Sequence, residues 1–175
     1  MKFATFEPAK ERRSGPSEAI ILFSVSNQTF AIAASDVQEI RSTDSLSGTA
    51  NEIDCPDLPK VRHTIDRARQ KYYVVNAAQH FGLPGSRPAL VLILRQLRAA
   101  ILVDRIDRMT EISAAYPLPR AFTGEERRWY RGLTYIDDHV IPVVQPAGFL
   151  TSQEFWRLEE AAHQASQREL EGARL

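Results

Sequence analysis

The stretch Ile20-Ile21-Leu22-Phe23-Ser24-Val25-Ser26-Asn27-Gln28-Thr29-Phe30-Ala31-Ile32-Ala33 decides the fold class. Its first six residues are mostly branched or aromatic, the composition of a strand. Ser26-Asn27-Gln28 is a turn, and Thr29 to Ala33 alternates with period two. Two such runs joined by so short a connection predict a β-hairpin. The strand pattern stops after Ala34. Ser35-Asp36 offers an N-cap, so a single helical turn through Glu39 is expected next. Residues 42–60, rich in Ser, Thr, Asp and Pro, read as a long loop.

Further strands follow the same logic. Lys71 to Val75 is one, ending at Asn76 with a short turn through Gly82. Leu90–Leu94 and Ala99–Val103 form a second hairpin, apolar enough to be buried on both faces. Ile106 to Ile112 is another short strand, and residues 113–128 connect onward with a helical turn at Gly124–Arg128. Arg131–Ile136 and Val140–Val144 flank Asp137-Asp138-His139 as a third hairpin. Pro142 cannot donate to a ladder, which places it at an edge or with its missing N–H outward.

The last segment changes period. Thr151 and Glu154 make a capping box, with Leu150 and Phe155 at the staple positions. Phe155, Leu158, Ala162 and Ala165 then form a helical stripe. An amphipathic helix over 151–175 is expected, docked along its first half. Residues 1–17 carry too little apolar surface to offset the entropy of ordering, and are expected to be a mobile tail. The body is then 18–150. Many short strands with one terminal helix indicate a mainly β, small-barrel fold.

Composition narrows the function. The chain has 175 residues, 43% hydrophobic and 25% charged, values of an ordinary globular domain. Lys plus Arg equals Asp plus Glu at 22 each, which argues against binding nucleic acid or an anionic membrane by bulk charge. The single cysteine, Cys55, excludes an intramolecular disulfide and multi-cysteine zinc motifs. No apolar run is long enough for a membrane span or a signal peptide, so a cytoplasmic protein without membrane insertion is expected.

Candidate chemistry is sparse. Cys55 with His63 is a conceivable nucleophile and base, yet Pro56 follows directly and no strand–turn–helix elbow surrounds it. Asp104, Asp107, Asp137 and Asp138 are conceivable metal ligands, but aspartate is also ordinary turn chemistry. The four histidines lack ligand spacing, and no phosphate loop is present. Neither an enzyme nor a cofactor is expected. The basic run Lys60–Lys71 suits an acidic protein surface or phosphate, and Arg127-Arg128-Trp129-Tyr130-Arg131 is a second basic–aromatic cluster.

Val37-Gln38-Glu39-Ile40-Arg41, following the first hairpin, resembles the VQEIR-type segment of CheW, the chemotaxis coupling family. Tyr72 to Asn76 with Phe81-Gly82 is similar to the family's PVxDLxxxFG stretch. Leu90–Leu94 with Ala99–Asp104 matches its hairpin ending in Val-Asp. Gly132-Leu133 through Leu150 resembles its closing segment, and a terminal helix follows. The likeness covers residues 18–165. Two departures stand out. The family's NLRG signature falls at Asp66-Arg67-Ala68-Arg69, with Arg69 where its glycine would be. Its PxxD pair is Tyr73 and Asn76 here.

The resemblance implies two intertwined SH3-like five-stranded barrels and a C-terminal helix, with no catalytic machinery. It implies a scaffold that meets the cytoplasmic tip of a chemoreceptor and the regulatory domain of a CheA-type histidine kinase. The implied receptor groove would be lined by Val37, Glu39, Ala100, Ile106 and Met109, with Arg67 or Arg69 at the rim. Glu39 would pair with Arg67 or Arg69, or the family's salt bridge would be lost. Two alternatives remain: the same fold retuned to a different acidic protein, and a small nucleic-acid-binding barrel.

Overall fold

The structure, a computed structural model, describes residues 16–174. The expected mobile tail therefore falls, up to residue 15, outside the described residues. Ser17 already hydrogen-bonds Glu111 at 3.1 Å, and strand β1 (Glu18–Val25) begins one residue later.

The order of elements is β1, β2 (Gln28–Ala33), β3 (Val37–Ser42), β4 (Ala50–Glu52), β5 (Val61–Arg67), β6 (Gln70–Asn76), α1 (Ala77–Phe81), β7 (Leu90–Leu94), β8 (Ala99–Val103), β9 (Arg105–Ile112), β10 (Tyr130–Ile136), β11 (His139–Val144) and α2 (Ser152–Gly172). They build two sheets. One has the order β10-β11-β2-β1-β9 and joins both ends of the chain. The other, β3-β7-β8-β6-β5-β4, is made wholly from the middle of the chain. The two units are thus interleaved: the backbone leaves the first sheet after β2 and returns at β9.

Three apolar clusters explain why these strands curl. Ile20, Leu22, Ala31, Ile141 and Val143 fill the first sheet's inner face. Ile65, Val74, Val91, Ile93 and Ala100 fill that of the second. The largest cluster joins the outer faces, with Phe23, Phe30 and Ile32 from one sheet against Leu92, Leu94, Ile101 and Tyr73 from the other. β7 and β8 accordingly bury both faces, as their unbroken apolar sequence predicts.

Curling brings distant strands together. Glu39 on β3 and Arg67 on β5 stand four strand positions apart, which is about 19 Å across a flat sheet. Their side chains meet at 3.1 Å. In the first sheet, a backbone bridge between Tyr116 and Leu133 and an Arg108–Asp137 ion pair span from the β9 edge to the β10–β11 hairpin.

Five details differ from expectation. The turn after β2 is a short 3-10 segment, Ala34–Asp36, without a side-chain cap. Glu39 lies on a strand, because Val37 to Ser42 hydrogen-bonds as a ladder with β7, which a helical turn would forfeit. The 42–60 loop contains a 3-10 turn, Thr43–Leu46, and strand β4, giving the second sheet a sixth strand. Asn76 caps a one-turn helix, α1, accepting from the Gln79 amide at 3.2 Å. Pro142 sits inside its sheet, between β10 and β2. There β11 meets β2 at one registered pair, Val143–Ala31, so few ladder bonds are forfeited.

The C-terminal helix docks as its sequence predicts. The Thr151–Glu154 capping box is formed, and Leu158 is fully buried. Glu159 accepts from the Tyr73 hydroxyl at 2.7 Å and pairs with Arg98 at 3.1 Å. The Arg98 guanidinium lies 4.8 Å above the Phe155 ring.

Candidate functional site

The site grows from β3. Because successive strand residues alternate faces, Glu39 and Arg41 project together. The Arg41 guanidinium grips the Glu39 carboxylate with two of its nitrogens, Nε at 2.6 Å and Nη2 at 3.2 Å. Arg67 adds a third contact from across the barrel. One carboxylate is thus held by two guanidiniums. The hydrogen bond from Arg41, helped by the charge of Arg67, keeps the Glu39 carboxyl below the usual carboxylate range.

The sequence places Arg41 in the VQEIR-like segment but gives it no role at the site. A helical turn through Glu39 would put residues two apart on different faces, whereas a strand makes them neighbours. The two apolar residues of the segment, Val37 and Ile40, are three apart, a spacing that suits a helical turn, so no local signal pointed to the strand.

The other candidate residues fall into three settings. Val37 is buried at the start of β3, opposite Leu94. Ala100 is fully buried: Glu39, Ile93 and Ala100 occupy one cross-strand row, so Ala100 supports the strand of Glu39 from within. Ile106 and Met109 belong to β9, the edge of the other sheet. Ile106 is half-buried against the largest cluster, whereas Met109 is 63% exposed. Ile40, between the two charged residues of β3, is 42% exposed.

Arg69 is exposed and forms no ion pair among the described residues. It is the second residue of the β5–β6 turn, with φ 63°, after Ala68 at φ 49°. Two successive left-handed residues make a tight hairpin turn that favours Asn-Gly. The position where the resemblance calls for glycine is therefore one where glycine relieves strain.

Much of the basic run is neutralised. Lys60 pairs with Glu154, Arg67 with Glu39 and Lys71 with Asp66. In the second basic cluster, Arg131 pairs with Glu18, and Trp129 and Tyr130 pack against Phe81. These aromatics serve the interior and are not free platforms for bases.

Cys55 and His63 both border a cavity of about 800 Å³. Burial raises the Cys55 thiol above its ordinary range, the wrong direction for a nucleophile. Three of the four aspartates have structural partners, Asp137 through its ion pair with Arg108. Asp104 accepts from the amides of Ser26 and Arg87 and the Ser86 hydroxyl. Asp107 accepts from Ser24 and Arg105. Among the described residues no three metal-ligating side chains cluster, and no helix is long and apolar enough to cross a membrane.

Comparison with known proteins fits this architecture. No curated protein sequence is significantly similar to the chain. Among solved structures, the scaffolding protein TtCheW from Thermoanaerobacter tengcongensis is similar with a TM-score of 0.64 at 17% identity, over 78% of this chain and 94% of that one. Such identity speaks for the fold alone. The CheW-like domain family matches residues 19–154, which runs from β1 to the first turn of α2 and takes in both sheets and the Glu39–Arg67 contact. With that span matched, this chain belongs to the CheW-like domain family.

Proposed function

We propose that the chain is a non-enzymatic cytoplasmic adaptor that couples the cytoplasmic tip of a chemoreceptor to the regulatory domain of a CheA-type histidine kinase. The observation that carries this reading is the family match across both interleaved sheets. A chemotaxis-type adaptor is what the family supplies, and the site's physics suits it. A helical receptor tip needs exposed apolar side chains with a charged rim. Ile40 and Met109 are exposed apolar groups, Ile106 is partly so, and Glu39, Arg41, Arg67 and Arg69 supply the rim. Val37 and Ala100 set the strand that carries them.

The Glu39–Arg67 contact contributes shape more than energy. Both side chains are about one-third exposed or less, and such pairs contribute roughly 0–1 kcal/mol. Its role in this reading is to hold two barrel strands, and the apolar groups beside them, in one arrangement.

The test is a pull-down with a receptor signalling tip and a CheA regulatory domain from the same source. Retention of both at micromolar concentrations is expected. Met109→Glu should weaken receptor retention at least tenfold while leaving the fold intact, since Met109 is exposed. Retention of neither partner by the parent protein overturns the reading.

A further inference from the structure

α2 offers a second surface that the docking site does not use. It runs for 21 residues, and all but its first turn lies beyond the family-matched span. The face turned inward holds Phe155, Leu158 and Ala162. On the outward face, two large apolar side chains stand in solvent: Trp156, 64% exposed, and Leu170, 67% exposed.

Their spacing is informative. Trp156, His163 and Leu170 recur every seven residues, so they form one stripe along the helix. Trp156 and Leu170 are about 21 Å apart along the axis, with His163 midway. A stripe with an apolar group at each end and a polar centre is self-complementary when inverted. Turning a second helix antiparallel about His163 sets each Trp156 against the other copy's Leu170. The same operation brings Glu160 level, within one residue, with Gln167 of the other copy. It also brings Arg157 to within about 3 Å of level with Glu171 of the other copy, on the same flank. Every opposition occurs twice, as an isologous contact requires.

We propose that the outward face of α2 is a homodimer contact, in which two copies of this chain pair their helices antiparallel about a two-fold axis at His163. The occupant is a second copy because size, spacing and charge all match the face to its own inverse. The contact is small. Trp and Leu anchors on a single helix bury less than the roughly 1,200 Å² of a standard interface, so the dimer is weak and transient. Such a contact would link two adaptors while leaving β3 and β9 accessible.

Sedimentation of the full chain from 5 to 500 μM tests this. The expected result is a concentration-dependent rise from the 19.8 kDa monomer toward twice that mass. Trp156→Ala and Leu170→Ala should each weaken association at least tenfold, with unchanged circular dichroism because both residues are exposed. Arg157→Glu and Glu171→Arg should each weaken it, and the double exchange should restore it. In a Cys55→Ser background, His163→Cys should form an interchain disulfide on mild oxidation. A monomer throughout the range overturns the proposal. So does a dimer insensitive to the Trp156 and Leu170 substitutions. A face that stays monomeric yet is covered on addition of the kinase regulatory domain, read by hydrogen exchange of α2, belongs to that partner and also overturns it.

Discussion

Arg69 shows how one residue can be held in an unfavourable conformation by its neighbours. Its left-handed backbone costs a non-glycine residue about 1 kcal/mol, and the ladder of β5 with β6 leaves no other geometry. Arg69→Gly should therefore raise the free energy of unfolding by about 1 kcal/mol, measured by urea titration. A fall in stability would mean the Arg69 side chain makes a contribution larger than its strain. His80 gives a second prediction. Its ring is enclosed by Phe81, Trp129 and Phe149, and its Nδ1 faces Lys60 Nζ at 3.4 Å. The ammonium can only donate, so Nδ1 accepts and the ring is neutral. Burial, and secondarily Lys60, pushes its pKa down to about 3. The unfolded chain protonates near about 6.5. This part of the stability is therefore whole above that pH and is lost as pH falls toward the folded value, amounting to roughly 2–3 kcal/mol by pH 4. Urea midpoints should fall across this window in the parent protein, and the slope should flatten in His80→Leu.

At the scale of elements, legibility followed locality. The hairpins at Ser26-Asn27 and Asp137-Asp138, the apolar pair β7–β8, and the capped helix were readable because each is specified by adjacent residues. Glu39's strand was not, because Ser35-Asp36 imitates a helix start and only pairing with β7, some fifty residues on, resolves the ambiguity. The Glu39–Arg67 partnership could be narrowed to two arginines, but choosing Arg67 requires the turn conformation that sends Arg69 outward. Ala100 was legible as interior, because the unbroken apolar run of β7 and β8 marks strands buried on both faces, but its place in the row of Glu39 was not, since that depends on cross-strand register. The C-terminal helix permits a direct check of its anchors. Thr151→Ala should cost about 1 kcal/mol through the lost cap. Leu158→Ala should cost about 2–5 kcal/mol, because that side chain is fully buried between helix and sheet. Equal losses from the two would indicate that the helix is barely docked.

At the scale of the molecule, the two sheets share their largest apolar cluster, so neither can lose its structure without exposing the other's outer face. Unfolding should be a single transition, with circular dichroism and tryptophan fluorescence changing together. Two resolved transitions would show that the sheets are separable units. The interleaving has a further consequence during synthesis. β1 and β2 leave the ribosome before the other strands of this domain, and their remaining sheet neighbours, β9 and β11, are translated more than seventy residues later. Until then one flank of that hairpin, and its inner face of Ile20, Leu22 and Ala31, lack their final cover. The middle sheet can assemble in the meantime, since all its strands are adjacent in the message. The nascent chain therefore carries a period of aggregation risk that ends only when β11 emerges, and its length is set by translation speed.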